Sequence, residues 1–471
     1  MKKILPLLGG LVITSIASTS VVSCIAPRYA VGSPGQRVVV STSGRINDHS
    51  FNQDAYIGMK NFVKSEYGLD GQNNYVEAAD TSSTSVVSAY RLAKLKRADA
   101  VILPGFNHIT TIAAAAKLFG EKTIVLVDGT PGSTDKLYDH VISVLFNSQL
   151  GGVQAAFDAA YWATTKVRDA QGNETEKMQG DASGDGKITF GTFAGASNKY
   201  GVDNYMWGLL LGMDLFNKYY ATTSESYRKV YLANTDDYKI ESVKVTNTSS
   251  TDWWTNNFDL GGATKSGIVS KLVDDRKADI IFPVAGPQIE DVLNYHPRSS
   301  SYKGLPYVIG IDVDQAEIFN GSAYHGRFIT SAIKNVHSAT KIALQHAQSL
   351  VNKQVDGSYA AKTSADEMWD GTTPGRYKNW SVDLLDDGSG KYKISKHYLR
   401  LFDGENGDNP DEAGSLPVDA SDVLINFVNN AFADLGTTAI DYLNGKIITK
   451  LAQEIIDRAR NEEFRLIYDE K

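Results

Sequence analysis

The chain has 471 residues, of which 22% are charged, and a formal net charge of −8 at pH 7. An acidic chain without a long basic block argues against nucleic acid as the main partner. Cys24 is the only cysteine, which excludes an intrachain disulfide, so the hydrophobic core must stabilise the fold. The length after the first 23 residues is enough for two or three domains.

The first 24 residues have the layout of an export signal. Lys2 and Lys3 precede an apolar stretch from about Ile4 to Val22, and small residues lead into Cys24. A cysteine at this place predicts attachment of a fatty acyl chain such as palmitate, as in bacterial lipoproteins, although Val21 stands where such cleavage boxes usually carry Leu. The alternative is an uncleaved anchor with an incidental cysteine. The expected location is the extracellular face of the cell membrane, held by a lipid anchor.

Strand and helix patterns alternate over about 300 residues after a tether-like stretch, 25–36. Apolar runs predict strands at 37–42, 98–104, 122–129, 140–146, 187–195, 228–234, 278–286 and 306–314. Helical patterns lie near 50–66, 149–163 and 201–219. Because the strand runs are continuously apolar and not alternating, they indicate parallel sheets buried on both faces. The predicted fold class is therefore α/β and doubly wound. Residues 354–420 are rich in loop-forming residues, and 421–471 regain helical periodicity.

Small or polar residues follow most of the predicted strands. Asp128 follows the apolar run 122–127, Gly286 comes shortly after 279–284, and Asp312 follows 307–311. In doubly wound sheets ligands bind beyond the carboxyl ends of the strands, so these residues are candidates for a common cleft.

The stretch GRINDHSFNQ (44–53) follows the first predicted strand. Ser50 and Gln53 fit a capping box, which would make Ser50 the N-cap and place Phe51 and Asn52 in the first helical turn. The structural interpretation is a hydrophobic plug with a second capping group. The functional interpretation is a ring that stacks on a flat ligand and an amide that binds the edge of that ligand.

These motifs resemble a known family. GRINDHSFNQDAYIGM, ILPGF, VLVDG, GVDNYMWGLLLGM, DIIFPVAG, VIGIDVDQ and FITSAIKNV occur in the order typical of the basic membrane protein family. Its members are nucleoside-binding lipoproteins of the purine nucleoside receptor type, which deliver ligand to the permease and ATPase subunits of ABC importers. The resemblance covers about residues 37–350.

The resemblance implies a type I periplasmic-binding fold, with two lobes joined by a hinge around a central cleft. The signal peptide predicted from the residues would comprise 1–23, and the lipidated tether 24–36. The first lobe would comprise 37–146 and about 332–353, and the second 147–331 and about 354–405. Residues 406–471, read as an acidic loop and C-terminal helices, lie outside the resemblance and have no assigned place.

The resemblance also implies the roles of particular residues. Phe51 would stack on a nucleobase, with Asn52 and Asp128 binding its edge. A second ring would come from Tyr205, or else from Trp207. The ribose would be bound by Asp312, Lys334 and the backbone of Gly286. Thr42 departs from the family, which usually has an acidic residue at this position.

Other kinds of site are less well supported by the sequence. DASGDGKITF (181–190) resembles a calcium loop, but Thr192 stands where the bidentate acid is expected, so a tight turn is favoured. The histidines lack zinc-site spacing and no nucleophile elbow is present, so neither a metal, a cofactor nor an enzyme activity is predicted. The alternatives to nucleoside capture are binding of a sugar or another small solute, a surface adhesin without a ligand, and an enzyme acting on nucleosides.

Overall fold

The computed structural model describes residues 29–131, 135–146, 148–221, 223–234, 238–241, 244–247, 253–334 and 336–361, with three short strands between 377 and 394. The described chain forms two lobes, and each lobe contains a parallel sheet with helices on both faces. The predicted signal peptide and Cys24 lie outside the described residues. None of the helices in the described ranges combines the length and the apolar character needed to cross a bilayer.

The first lobe begins with the strand that the sequence predicts at 37–42. Its strands are β1 (Val38–Thr42), β2 (Tyr75–Glu77), β3 (Ala100–Pro104), β4 (Thr123–Val127) and β5 (Val141–Leu145), and its first helices are α1 (Phe51–Tyr67), α2 (Ser83–Leu95) and α3 (Ile112–Phe119). The strand order is β2-β1-β3-β4-β5, with every pair parallel. Val38 and Val40 pack with residues of α1, whereas Val39 packs with residues of α2 and α3. Burial on both faces explains the unbroken apolar runs.

The second lobe repeats this topology. Its elements are α4 (Ser148–Ala163), β6 (Lys166–Arg168), β7 (Glu174–Met178), β8 (Ile188–Ala194), α5 (Asn204–Ala221), β9 (Val230–Leu232), β10 (Tyr238–Glu241), β11 (Lys244–Asn247), α6 (Ala263–Ser270), β12 (Ile280–Val284), α7 (Ile289–Leu293), β13 (Tyr307–Asp312), α8 (Gln315–Ile318) and β14 (Phe328–Ile333). The order β9-β8-β12-β13-β14 is again parallel throughout.

The chain crosses between the lobes after the last strand of each sheet. After β5, helix α4 packs on α5 and β14 of the second lobe. After β14, helix α9 (Val336–Gln345) packs on α1, β4 and β5 of the first lobe. Each of these two helices therefore packs on the lobe opposite to the strand before it, and the crossings between β5 and α4 and between β14 and α9 form the hinge. The predicted fold class, two doubly wound lobes with a hinge and a cleft, is confirmed.

After residue 350 the described residues form five short strands. They are β15 (Val351–Lys353), β16 (Tyr359–Ala361), β17 (Tyr377–Asn379), β18 (Leu384–Asp386) and β19 (Tyr392–Ile394). Of these, β15, β16 and β17 contact the first lobe. The ring of Tyr359 lies edge-on to Tyr67 of α1, and β17 pairs in parallel with β5. The sequence assigns about 354–405 to the second lobe, but within that range the described strand β17 pairs with the edge strand of the first lobe's sheet. The helices predicted within 421–471 lie outside the described residues.

The calcium-like loop is a tight turn. The carboxylate of Asp181 accepts backbone N–H groups of Gly184, Asp185 and Gly186 at 2.7–3.1 Å. Its oxygens are therefore occupied by the turn itself. Within the described ranges, no cluster of His, Cys, Asp and Glu side chains is suited to hold a metal ion.

One ion pair fastens α1 to α9 next to the hinge. The Nδ1 atom of His337 lies 3.0 Å from Oδ1 of Asp54, and the backbone N–H of His337 donates to Oδ2 at 2.9 Å. The hydrogen bond with Asp54 raises the pKa of His337. The folded protein therefore binds the proton more tightly than the unfolded chain does. The stability from this pair is full below the ordinary pKa of about 6.5 and is lost as pH rises through the raised value.

We expect His337→Gln to remove this pH dependence. With 45% of the imidazole exposed, the pair contributes at most about 1 kcal/mol. Thermal unfolding of both proteins on either side of pH 6.5 measures the effect. The wild-type midpoint should fall more steeply above that pH than the midpoint of the variant. Parallel curves would show that the pair does not couple protonation to stability.

Candidate functional site

A cleft lies between the lobes, at the carboxyl ends of the strands of both sheets. Its volume is about 790 Å³, within the range of small-molecule sites. The first lobe lines it with the start of α1, the loop after β3 and Asp128, and the second lobe with the loop after β12 and Asp312. Lys334, at the crossing into α9, lies between them. Of the predicted site residues, Phe51, Asn52, Asp128, Gly286, Asp312 and Lys334 all line this cleft.

The start of α1 brings Phe51 and Asn52 into the cleft, both half-buried. The N-terminus is capped differently from the prediction. The carboxylate of Asp48 accepts the backbone N–H groups of Ser50, Asn52 and Gln53 at 3.0–3.1 Å, and the side chain of Ser50 accepts none. A carboxylate is the stronger acceptor at a helix N-terminus. Burial raises the pKa of Asp48 to about 6, although these N–H groups oppose the shift.

The hydroxyl of Ser50 is thereby available to the other lobe. It donates to Oδ2 of Asp312 at 3.1 Å. Gly286 lies at the same contact, because a Cβ atom on this glycine would lie 2.1 Å from Oγ and 2.3 Å from Cβ of Ser50. The missing side chain of Gly286 thus lets the lobes meet. Gly286 also lines the cleft, so the ligand contact that the resemblance implies for it stays a prediction.

Asp128 and Asp312 stand at corresponding places in the two lobes. Asp128 directly follows β4, and Asp312 ends β13. Both have φ of +66°, a left-handed conformation that is uncommon for residues other than glycine. Strain of this kind clusters at functional sites. Both side chains are buried, with residue exposures of 3% and 8%.

Lys334 bridges the two carboxylates. Its Nζ atom lies 2.8 Å from Oδ2 of Asp128, 3.5 Å from Oδ1 of Asp312 and 3.0 Å from the carbonyl oxygen of Gly201. The ammonium donates hydrogen bonds to Asp128 and to Gly201, whereas Asp312 lies only at ion-pair distance. Lys334 therefore holds the two carboxylates together, and the ribose contact that the resemblance implies for it stays a prediction.

The carboxylates retain acceptor capacity towards the cleft. Among the described residues, no group donates a hydrogen bond to Oδ1 of Asp128 or to Oδ1 of Asp312. Burial raises the pKa of Asp312, with Lys334 opposing the shift and the charge of Asp128 adding to it. Buried acceptors without donors are costly unless a ligand satisfies them.

Tyr205 does not line the cleft. It is fully buried in the second lobe, where its hydroxyl donates to the carbonyl oxygen of Ala332 at 3.1 Å and its ring lies edge-on to Phe282. The expectation that Tyr205 supplies the second stacking ring is therefore not met, because α5 turns this residue into the core. Trp207, the second choice, has its side chain outside the described residues.

Two other rings line the cleft instead. Phe106 follows β3 in the first lobe, and Phe258 belongs to the polar stretch after β11 in the second. Their ring centroids are 5.3 Å apart at an interplanar angle of 66°. A Cβ atom on Gly195 would lie within 2.3 Å of the ring of Phe258, so this glycine provides the space for it.

The segment that carries Phe258 is fixed to the second lobe. The backbone N–H of Thr255 donates a hydrogen bond to the carbonyl oxygen of Ala194. The hydroxyl of Thr255 donates to Oε1 of Gln288 at 3.0 Å. The amide of Gln288 donates to the carbonyl oxygens of Asn257 and Asp259. The ring is therefore held by backbone contacts on both sides. Sequence reasoning did not single out Phe258, because the polar, Trp-containing stretch between 235 and 265 that carries it has no counterpart in the family's pattern.

Thr42 and His49 lie at the margin of the site. Thr42 is fully buried, and its hydroxyl donates to the carbonyl oxygen of Gly44, so it stabilises the loop before α1 and is not part of the cleft lining. His49 lines the rim and has Nδ1 3.9 Å from a carboxylate oxygen of Glu290 in the second lobe.

Acidic side chains outnumber basic ones around the cleft. The acidic residues are Asp48, Asp80, Asp128, Asp259, Glu290 and Asp312, and the basic residues are Arg45 and Lys334, with His49 at the rim. This excess of negative charge disfavours anionic ligands.

Comparisons with known proteins give structural similarity only. No protein-family model and no curated protein matches the chain. It is similar to an ABC transporter solute-binding protein from Aeropyrum pernix K1, with 16% identity, coverage of 89% of this chain and 91% of that chain, and a TM-score of 0.48.

Two further solved structures are similar to the chain. One is a carbohydrate transporter solute-binding protein from Chloroflexus aurantiacus in complex with D-glucose, with 13% identity, coverage of 73% and 90%, and a TM-score of 0.41. The other is a transcriptional activator of the comK gene from Bacillus halodurans, with 12% identity, coverage of 85% and 99%, and a TM-score of 0.41. Because identities and TM-scores are this low, the function is inferred from the cleft itself.

Proposed function

We propose that this protein is the substrate-binding lipoprotein of an ABC importer and that it captures nucleosides, with purine nucleosides favoured, in the interlobe cleft. The observation that carries the proposal is the pair of buried carboxylates, Asp128 and Asp312. They come from opposite lobes, each has an oxygen without a described donor, and aromatic rings line the same cleft.

Each part of a nucleoside has a matching group in the cleft. A carboxylate accepts hydrogen bonds from two vicinal hydroxyls, which makes Asp312 suitable for a ribose diol. Asn52 offers a donor and an acceptor to the edge of a base, and Asp128 offers a further acceptor. Phe51 and Phe258 come from opposite lobes and would hold the base between them. Stacking of a base on an aromatic ring contributes about 1–3 kcal/mol.

Capture requires both lobes to contact the ligand. A ligand that bridges Asp128 and Asp312 stabilises the closed form, because it satisfies an acceptor on each side of the cleft. Its binding would shift the population towards the closed conformation that the permease and ATPase subunits recognise. A sugar is the second candidate, since hydroxyl pairs suit carboxylates equally well, but it leaves the edge-binding amide of Asn52 without a base.

Calorimetry with a panel of small molecules tests the ligand class. We expect a purine nucleoside to bind, and both the free base and ribose to bind more weakly, because each keeps only part of the contacts. Preferential binding of a hexose would replace the proposal with sugar capture. Lack of binding by the whole panel would favour a protein without a small ligand.

We expect the nucleoside 5′-monophosphate to bind at least about tenfold more weakly than the nucleoside. Its phosphate would bring added negative charge into a cleft already rich in carboxylates, and two like charges about 4 Å apart repel by about 4 kcal/mol near a protein surface. The same calorimetric titration measures the ratio, with the uncharged 5′-O-methyl nucleoside as the control for size. Equal affinity of the monophosphate and the nucleoside would contradict this electrostatic selection.

A further inference from the structure

A basic and apolar patch lies on the first lobe, away from the cleft. Tyr29, Leu92 and Leu95 are 53%, 49% and 55% exposed. Leu92 and Leu95 are three residues apart on α2, so they lie on the same side of the helix. We call the surface formed by Tyr29, Arg91, Leu92, Lys94, Leu95 and Arg97 the α2 patch.

The charge of the α2 patch is opposite to that of the chain. Four basic residues occur between 91 and 97, and no Asp or Glu occurs between Asp80 and Asp99, although the net charge of the chain is −8. None of the ion pairs found within the described ranges involves these four. The guanidinium of Arg97 lies 3.9 Å from the ring centroid of Tyr29, which fixes that ring beside the basic group.

The patch lies at the end of the lobe opposite the cleft. Helix α2 ends at Leu95 and β3 begins at Ala100, so the last turn of α2 is beside the edge where the strands begin. The cleft lies at the edge where they end. The backbone N–H of Ala30 donates to the carbonyl oxygen of Lys96, which holds the start of the described chain against the same end of α2.

The predicted membrane attachment point is close to this patch along the chain. Cys24 is five residues before Tyr29, and five extended residues span at most about 18 Å. If Cys24 is not lipidated, the apolar stretch that ends at about Val22 provides the attachment almost as near. Both interpretations place a lipid surface within reach of Tyr29.

We propose that the α2 patch docks on an anionic lipid bilayer. Exposed leucines and an aromatic ring would enter the headgroup boundary, while the basic side chains contact lipid phosphates. Docking would leave the cleft facing away from the bilayer, open to solutes. This inference does not depend on the identity of the captured ligand.

Lysine labelling of the full chain tests the docking. The chain would be reconstituted in phosphatidylcholine vesicles with or without phosphatidylglycerol and treated with acetic anhydride, and the modification of each lysine would be followed by mass spectrometry. We expect Lys94 to react more slowly only when phosphatidylglycerol is present. Lys177, exposed on β7 of the second lobe, is the internal control and should react equally in both.

Variants separate docking from mere proximity to the membrane. Arg91→Glu replaces a positive charge by a negative one, and Leu95→Ser removes an exposed apolar side chain. Each basic residue near an anionic surface changes the docking equilibrium about fivefold, so Arg91→Glu should restore the reactivity of Lys94 by at least that factor. Unchanged thermal unfolding would show that both variants fold normally.

The outcomes decide for or against the proposal. Protection of Lys94 that requires phosphatidylglycerol, and that weakens as salt is raised to about 1 M, where the Debye length is about 3 Å, supports it. Equal reactivity in both kinds of vesicle overturns it. Protection that is seen only in native membranes and not in protein-free vesicles also overturns it and indicates an acidic protein as the partner of the patch.

Discussion

Asp312→Asn is expected to lower nucleoside affinity about 100-fold while leaving the fold intact. The carboxylate can accept two hydrogen bonds from a diol, whereas the amide oxygen accepts as a neutral group. Hydrogen bonds to a charged group contribute about 1.5–3 kcal/mol each, about twice the contribution of neutral ones. The fold should survive because Lys334 keeps Asp128 as its ion-pair partner at 2.8 Å. Calorimetry gives the affinity and thermal unfolding the stability.

Asp314→Asn is the matched control. It makes the same chemical change two residues further along, at the N-cap of α8, where asparagine can also cap the helix, and Asp314 is not part of the cleft lining. Its affinity should equal that of the wild type. If Asp312→Asn binds as tightly as this control, Asp312 does not contact the ligand.

Gly286→Ala is expected to prevent full closure of the lobes and to lower affinity about 5- to 150-fold. The added methyl group would lie 2.3 Å from Cβ of Ser50, a contact that cannot be relieved by rotating the hydroxyl alone. Overpacking of this kind costs about 1–3 kcal/mol, which corresponds to that range of affinities. Gly286 has no positive φ, so the backbone itself tolerates alanine. Calorimetry and the radius of gyration with saturating ligand measure the effect.

The double variant Ser50→Gly with Gly286→Ala tests the steric explanation. Removing the side chain of Ser50 makes room for the new methyl group, so the double variant should close again and bind like Ser50→Gly alone. Ser50→Gly loses the hydrogen bond from Ser50 to Asp312, so we expect it to lower the nucleoside affinity several-fold. A double variant as weak as Gly286→Ala would show that Gly286 acts through another contact.

The parts of the site that follow directly from a strand or a helix start could be predicted from the sequence. Asp128 and Asp312 each follow an unbroken apolar run, and parallel strands bring their carboxyl ends to one edge. Phe51 and Asn52 open a helix whose start is visible from its turn residues. In these cases the position along the chain determines the position in the cleft. The capping pattern is less informative, because Asp48 competes with Ser50 for the same N–H groups.

The second ring depends on contacts that the sequence does not reveal. Helix α5 is apolar around most of its circumference, with Tyr205, Met206, Leu209 and Leu210 all buried, so its pattern does not tell which side faces a ligand. Phe258 lies in a segment without periodicity, and its place is set by hydrogen bonds from Thr255 and Gln288 and by the space at Gly195. Such long-range contacts leave no local signal.

The placement of the chain after α9 is also a long-range property. Three-residue strands such as β17 are too short for a periodic pattern to identify. Strand β17 pairs with β5 because β5 is otherwise an open edge of the sheet, and the two strands are more than 230 residues apart in the chain. A loop-rich composition around it predicts exposure but gives no information on which lobe it joins.

The central claim is that this cleft holds an intact nucleoside. The protein purified under mild conditions and then denatured should release one, and mass spectrometry of the released small molecules identifies it directly. The account predicts an intact nucleoside from the wild type and a strong depletion of it from Asp312→Asn prepared in parallel. Release of a free base together with ribose would indicate an enzyme, and release of a sugar alone would contradict nucleoside capture.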